Sequence, residues 1–109
     1  MAEAAIIEAI RKYLSVLPER GIHSRRAILF GSHAKGTADQ WSDIDLIVLA
    51  PEFDRRYSRE LETELWRASG RVDSPSPIQP IGCGEIEWET DDGQPLLEIA
   101  RREGIEISA

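Results

Sequence analysis

The sequence has little cysteine and no long apolar run, and each shortage excludes a class of protein. Its single cysteine, Cys83, cannot form an internal disulfide, which is typical of proteins from a reducing compartment. The apolar runs are far shorter than a membrane span, and the N-terminus lacks the basic-then-apolar pattern of a signal peptide. We therefore expect a cytoplasmic protein that does not associate with a membrane.

Basic residues are also scarce, which argues against nucleic acid as a partner. Twenty acidic residues against thirteen basic ones give a formal net charge of −7, and this charge opposes attraction to a phosphate backbone. At 109 residues, the chain is predicted to form a single domain, 1–109. A domain of this size is too small for both a catalytic half and an acceptor-binding half, so we expect a separate molecule to position any large substrate.

Helical periodicity appears in three segments. Apolar residues at three- and four-residue spacing predict amphipathic helices over residues 2–20, 54–69 and 95–103. Asp54 is a candidate N-cap for the second of these helices, and Tyr57 lies on its predicted apolar face. The third begins with a proline at its first position and ends before a glycine, as helices often do.

Short apolar runs between the helices predict strands and therefore an α/β fold. Residues 26–30 and 43–50 are predicted to be buried strands, the second of them central in a sheet. Residues 78–81 are predicted to form a third strand, at a sheet edge because of the prolines in and before it. Residues 105–107 are either a last short strand or a packed tail. The acidic stretch 85–93 ends in a turn signal, and no regular element is predicted there.

Two aspartates at the start of the central strand form the core of a candidate site. Asp43 and Asp45 stand two residues apart, so on a strand their side chains lie on one face with backbones about 7 Å apart. Carboxylate oxygens, together with water and substrate phosphates, are the ligands that Mg²⁺ prefers. The pair is therefore predicted to hold one or two magnesium ions. With two ions, one would activate an attacking hydroxyl and the other would hold a triphosphate.

Small and basic residues before the aspartates suit a nucleotide. Gly31 lets a phosphate approach backbone amides, and Ser32 adds a hydroxyl donor where a helical turn is expected to begin. Lys35 is close enough in sequence to add a positive charge to the phosphates. Each signal is common alone, but together with Asp43 and Asp45, between two strands, they predict a site for a nucleoside triphosphate.

These residues resemble a known signature. Gly31-Ser32, ten intervening residues and Asp43-Ile44-Asp45 are similar to the motif of the minimal nucleotidyltransferases of the DNA polymerase beta superfamily, of the MNT/HEPN type. The resemblance implies a compact α/β nucleotidyltransferase fold, a short mixed β-sheet flanked by helices, without three full layers. It also implies transfer of a nucleoside monophosphate, most often AMP from ATP, to an acceptor hydroxyl with release of pyrophosphate. In such a site Gly31 and Ser32 contact the triphosphate, and the aspartates hold Mg²⁺.

The resemblance also implies a partner. Members of this family often act with a small helical protein of the HEPN class (higher eukaryotes and prokaryotes nucleotide-binding), as the antitoxin and toxin of one system. The acidic composition of the chain would suit a basic partner. Association of the chain with further copies of itself remains an open alternative.

The sequence departs from the family pattern at one point. Family members usually supply a third carboxylate from the strand after the intervening helix, and the matching position in the predicted strand 78–81 holds Gln79. A glutamine oxygen can bind a metal but is no useful base. Asp73 is the other candidate, although its surroundings are typical of a turn. A site without the third carboxylate suggests an alternative function, a catalytically weakened nucleotide- or partner-binding module that neutralises its partner by forming a complex.

Two further residues near the motif have open alternatives. Trp41 either stacks on a nucleotide base or packs against the strand that follows it. His33 either contacts a phosphate or is a solvated loop residue.

Overall fold

The computed structural model describes residues 3–55 and 59–109, and their strands form one mixed sheet. The strands are β1 (Arg26–Phe30), β2 (Ile44–Leu49), β3 (Ile78–Cys83) and β4 (Ile105–Ser108), in the order β3-β2-β1-β4. Strand β1 is antiparallel to β2 and β4, whereas β2 is parallel to β3. The predicted inner position of β2 and the predicted edge position of β3 are confirmed. Of the two alternatives for residues 105–107, the strand is correct.

Six helices are found in the described part of the chain. Helices α1 (Ala4–Val16) and α6 (Pro95–Glu103) confirm two of the predicted helices, and a 3₁₀ turn (Pro18–Arg20) follows α1. The helix predicted over residues 54–69 corresponds to α3 (Glu52–Arg55) and α4 (Arg59–Ser69), while Tyr57 lies outside the described residues. Helix α2 (Ser32–Lys35) follows β1 directly. Helix α5 (Glu85–Thr90) lies in the acidic stretch for which no regular element was predicted.

Helices cover both faces of the sheet, so the expectation of fewer than three layers is wrong. Strand β2 is apolar on both faces, and each face must be shielded from water. On one face, Leu46 and Val48 pack in a cluster with residues of α1 and α4. On the other, Ile47 and Leu49 pack in a cluster with residues of α5 and α6. The helical residues of the two clusters include Ile10, Tyr13, Leu65 and Ala68 on the first face, and Trp88, Leu97 and Ala100 on the second.

Helix α5 begins with a cap from a distant residue. Its N-cap position is Gly84, which has no side chain to offer. Asp54 of α3 takes that role, because its carboxylate accepts hydrogen bonds from the amides of Ile86 (2.9 Å) and Glu87 (3.1 Å). A Cβ atom on Gly84 would lie 1.9 Å from Asp54 Oδ1, so the contact requires glycine. The proposal that Asp54 caps the helix predicted over 54–69 is therefore wrong; it caps α5.

None of the helices in the described ranges has the length and hydropathy that a bilayer-spanning segment requires.

Candidate active site

The turn between β1 and α2 is built on a glycine that no other residue could replace without strain. Gly31 has a φ of +74°, in the region that L-amino acids rarely adopt. Its carbonyl accepts hydrogen bonds from the amides of Ala34 and Lys35, which starts α2 at Ser32. A Cβ atom at this position would lie 2.3 Å from Asp45 Oδ2. The end of strand β1 therefore brings Gly31 directly against the carboxylate of Asp45.

The two aspartates lie at the start of β2, but only one of them is part of the strand. Asp45 is paired with Phe30 across β1 and β2, whereas Asp43 precedes the first strand residue, Ile44. The prediction that both aspartates lie on the strand is therefore correct for Asp45 only. Asp43 is exposed and Asp45 is half-buried.

The electrostatics of Asp45 suit a bound cation. Burial raises the pKa of Asp45 above its ordinary value, the negative charge of Asp43 raises it further, and His33 acts in the opposite direction. Two carboxylates that repel each other in a partly buried position are stabilised by a positive ion placed between them. The pair is thus arranged as a cation-binding pair would be.

The two candidates for a third ligand lie in different places. Gln79 is the register partner of Asp45 in the parallel pair of β2 and β3, so both side chains project from the same face of the sheet. Asp73 is an exposed residue of the loop before β3. Among residues 3–55 and 59–109, no group of three His, Cys, Asp or Glu side chains could hold a metal ion. On the neighbouring strand β3, the structure therefore puts a neutral amide beside Asp45.

Lys35 and His33 project from α2 and are engaged by the protein itself. Lys35 Nζ forms an ion pair with Glu103 Oε2 at 3.2 Å, at the end of α6, and remains half-exposed. His33 Nε2 lies 3.2 Å from the carbonyl oxygen of Ser42. Because a carbonyl only accepts hydrogen bonds, Nε2 must donate, which fixes the proton on this nitrogen. His33 thus ties α2 to the residue that precedes Asp43.

A hydrogen-bonded turn leads into the aspartates. The Asp39 carboxylate accepts bonds from the Trp41 amide (2.9 Å) and the Ser42 hydroxyl (3.3 Å), and the Asp39 carbonyl accepts one from the Ser42 amide (3.1 Å). The side chain of Trp41 is 82% exposed. Of the two alternatives for Trp41, packing against the following strand is therefore wrong.

A cavity of about 500 Å³ adjoins the site on the side of α1. It shares His33 with the surroundings of Asp45, but neither aspartate is among its lining residues. The cavity is thus a neighbour of the aspartate pair and not the pair itself. Its lining consists of Glu3, Ile6, His33, Gly36, Ala38, Asp39, Gln40, Pro75 and Ser76.

A glycine turn, a serine at a helix start and two aspartates at one end of a mixed sheet define a nucleotide-handling α/β domain. The family model described as nucleotidyltransferase domain matches residues 8–99, which include all candidate site residues. The chain therefore belongs to the nucleotidyltransferase domain family, and its general function is nucleotidyl transfer. A search of curated proteins finds no match to the chain.

Proposed function

We propose that the chain is a Mg²⁺-dependent adenylyltransferase that moves AMP from ATP to a hydroxyl on a protein partner or a small molecule. The acceptor oxygen forms a bond to the α-phosphorus, and the bond from that phosphorus to the bridging oxygen breaks. The hydroxyl loses its proton, and pyrophosphate leaves. The observation that supports this proposal is the contact of Gly31 with Asp45, which brings a phosphate-accommodating turn against the aspartate pair.

The residues at the site fit Mg²⁺. Asp43 and Asp45 supply carboxylate oxygens, and a cation would relieve the repulsion by which Asp43, after burial, raises the pKa of Asp45. We propose that these two residues hold the ion, with the Gln79 amide oxygen as a neutral third donor. A bound magnesium ion would offset the charge of the triphosphate and make the acceptor hydroxyl more acidic.

The remaining site residues are assigned to the nucleotide. Gly31 gives the triphosphate access to backbone amides, and Ser32 offers its hydroxyl. Lys35 is proposed to contact the phosphates, in competition with its ion pair to Glu103. Because Gln79 cannot accept a proton, the proton of the acceptor hydroxyl passes to another group: one of the two aspartates, water or a group that the partner brings.

We further propose that the acceptor is a helical HEPN-type toxin and that the chain is its antitoxin. The formal net charge of −7 supports a basic partner, since complementary charge speeds association and fixes orientation.

Transfer of label tests the proposal. The protein is incubated with ATP labelled at the α-phosphate, Mg²⁺ and a purified HEPN-type protein, and label on the partner is measured after denaturing electrophoresis. We expect labelling that Asp43→Asn abolishes. Asp92→Asn is the matched control, because Asp92 is an exposed aspartate between α5 and α6, and it should label as wild type does. No labelling by wild type, or equal labelling by Asp43→Asn, would contradict catalysis.

The position of Gln79 favours a second candidate function, a binding module that neutralises its partner by complex formation alone. This function predicts that the affinity for the partner is independent of ATP and unchanged in Asp45→Asn. Calorimetry measures the affinity of the chain for its partner, and together with the labelling assay it distinguishes the enzyme from the binding module. Tight binding without labelling favours the module, whereas labelling that depends on Asp43 favours the enzyme.

A further inference from the structure

Trp41 is more exposed than any other large apolar side chain in the described part of the chain. Its exposed fraction is 82%, compared with 66% for Ile86 and 49% for Trp66. An indole is the largest apolar side chain, and leaving it in water forgoes the free energy that burial would provide. An exposed indole next to a candidate nucleotide site offers a flat aromatic face on which a base can stack.

The backbone under Trp41 is held in place on both sides. The Trp41 amide donates to the Asp39 carboxylate at 2.9 Å, and the Ser42 amide donates to the Asp39 carbonyl at 3.1 Å. The carbonyl oxygen of Ser42, the residue after Trp41, accepts the hydrogen bond from His33 Nε2. The indole is therefore presented from a fixed turn and not from a free loop, which limits the entropy lost when a ligand binds.

This turn is continuous with the proposed nucleotide site. Trp41 precedes Asp43 by two residues, which span at most about 7 Å of extended backbone. His33, which tethers the turn, follows Ser32 directly in the chain. A nucleotide whose phosphates lie between Ser32 and Asp43 therefore has its base within reach of this turn.

We propose that Trp41 is the stacking platform for the base of the nucleoside triphosphate. The inference rests on the proposed function, because it assumes that the phosphates bind at Gly31, Ser32 and the aspartates. Stacking uses the π-face that every base has, so it tolerates any base and does not tell adenine from guanine. Trp41 thus supplies affinity for a base, and the choice of base must come from other groups.

Binding measurements on four proteins test this inference: wild type, Trp41→Ala, Trp41→Phe and the matched control Trp66→Ala. Trp66 is a second exposed tryptophan, on α4. Each is titrated with Mg²⁺ and either a non-hydrolysable ATP analogue or inorganic tripolyphosphate, which has no base. We expect Trp41→Ala to weaken the binding of the ATP analogue by about 10-fold or more, which is the loss typical of removing an aromatic residue on which a base stacks. Trp41→Phe should retain most of the affinity, and Trp66→Ala all of it.

Tripolyphosphate separates the two proposals. Its affinity should be equal in all four proteins, because it does not reach the indole. Tryptophan fluorescence should be quenched by the ATP analogue in Trp66→Ala but not in Trp41→Ala. Equal affinity of wild type and Trp41→Ala for the analogue, with tripolyphosphate still bound, would overturn the role of Trp41 and leave the proposed function standing. If wild type binds neither ligand, both proposals are rejected.

A partner surface at Trp41 would give a different pattern. Trp41→Ala would then bind the ATP analogue as wild type does and lose affinity for the protein partner, which would contradict the stacking role. Thermal melting of each variant verifies that it is folded, and little change is expected because the indole is 82% exposed.

Discussion

Asp45 and Gln79 are register partners across the parallel strands β2 and β3, so the neighbour of the half-buried aspartate on β3 is neutral. Neighbouring residues in register project from the same face of a sheet, which places the amide next to the carboxylate. In the proposed site, a third carboxylate would act from this position. The site can therefore differ in two properties, nucleotide binding and catalysis. Binding a nucleotide needs little from Gln79, whereas deprotonating an acceptor hydroxyl needs a base, and the amide of Gln79 cannot act as one.

Gln79→Glu should strengthen metal binding and turnover together. A carboxylate at this position adds a negative charge beside Asp45 and a group that can take a proton, and general base catalysis is worth about 100-fold or more. We expect tighter Mn²⁺ binding by calorimetry and at least about 10-fold faster nucleotidyl transfer, a conservative share of that effect. Asp73→Asn, which tests the other candidate ligand, should change neither quantity. A loss of metal affinity in Asp73→Asn, with no gain in Gln79→Glu, would move the third ligand to the loop before β3.

Gly31→Ala should destabilise the protein more than the same change at Gly21. Both glycines have positive φ, but a Cβ on Gly21 would meet no atom within 4 Å, whereas one on Gly31 would collide with the Asp45 carboxylate. Gly21 has a left-handed backbone (φ +83°, ψ 15°), so Gly21→Ala measures the cost of that conformation, about 1 to 2 kcal/mol. Gly31 (φ +74°, ψ −155°) has a backbone that glycine alone adopts readily, which costs another residue about 1 to 3 kcal/mol, and the overlap with Asp45 adds about 1 to 3 kcal/mol. Urea denaturation of both variants gives the two free energies of unfolding, and equal losses would contradict the larger cost expected at Gly31.

Lys35 and Glu103 offer a test of the phosphate contact. If Lys35 binds the triphosphate, Glu103→Gln should tighten the binding of tripolyphosphate, because it removes the competing partner of the ammonium group. An exposed ion pair is worth up to about 1 kcal/mol, so a gain of up to about 5-fold is expected. Lys35→Gln should weaken the binding by a comparable factor. Unchanged affinity in both variants would limit Lys35 to a structural link between α2 and α6.

Much of the site could be predicted from the sequence because its signals are local. The run of apolar residues before Gly31 and the run after Asp43 are enough to place Gly31 at the end of one strand and Asp43 at the start of another. The two-residue spacing of Asp43 and Asp45 is enough to predict that the two carboxylates lie near each other. The place of Lys35 near the motif was also visible locally. Its ion-pair partner Glu103 was not, because Glu103 is distant in the chain and belongs to a helix whose docking no local pattern specifies. The exposure of Trp41 depends likewise on what the rest of the fold leaves uncovered.

The elements that the sequence did not reveal depend on contacts between distant residues. Helix α5 is short and acidic, and it lacks a capping side chain at Gly84, so no start signal is visible. Its cap comes from Asp54, more than 30 positions earlier in the chain. Trp88 then buries against β1 and β2 and covers the second face of the sheet. Tertiary contacts, and not propensity, therefore decide this layer.

Asp54→Ala should destabilise α5 through loss of this distant cap. Removing an N-cap carboxylate costs about 1 kcal/mol, and the two amides of Ile86 and Glu87 would have to find water instead. Asp54→Asn keeps one acceptor oxygen and should lose less. Urea denaturation gives the loss, and hydrogen exchange at Ile86 and Glu87 should quicken in the same order. Unchanged exchange at these amides in Asp54→Ala would contradict the cap.

Asp45→Asn should stabilise the protein in the absence of metal while it removes metal binding. The pKa of Asp45 is raised in the folded state by burial and by Asp43, so the folded protein holds this proton more tightly than the unfolded chain does. A carboxyl whose pKa is raised by folding lowers the free energy of unfolding as the pH rises from the ordinary pKa of aspartate through the raised pKa of the folded state. Above the raised pKa wild type carries the full penalty and Asp45→Asn carries none, so the variant should melt at a higher temperature there. The difference should shrink as the pH falls to the ordinary aspartate range, where the wild-type carboxyl is also neutral.

Added Mg²⁺ should reverse this order. An ion that binds only the folded state stabilises wild type in proportion to the logarithm of its concentration over the dissociation constant, and Asp45→Asn should respond much less. Melting curves at several pH values give the melting temperatures of wild type and Asp45→Asn, each with Mg²⁺ and with chelator. Asp92→Asn is the matched control, since Asp92 is an exposed residue outside the proposed metal site, and it should follow wild type throughout. A variant at Asp45 that melts below wild type in chelator, at a pH above the raised pKa, would show that the carboxylate stabilises the fold, and its partly buried charge could not then be explained by metal binding.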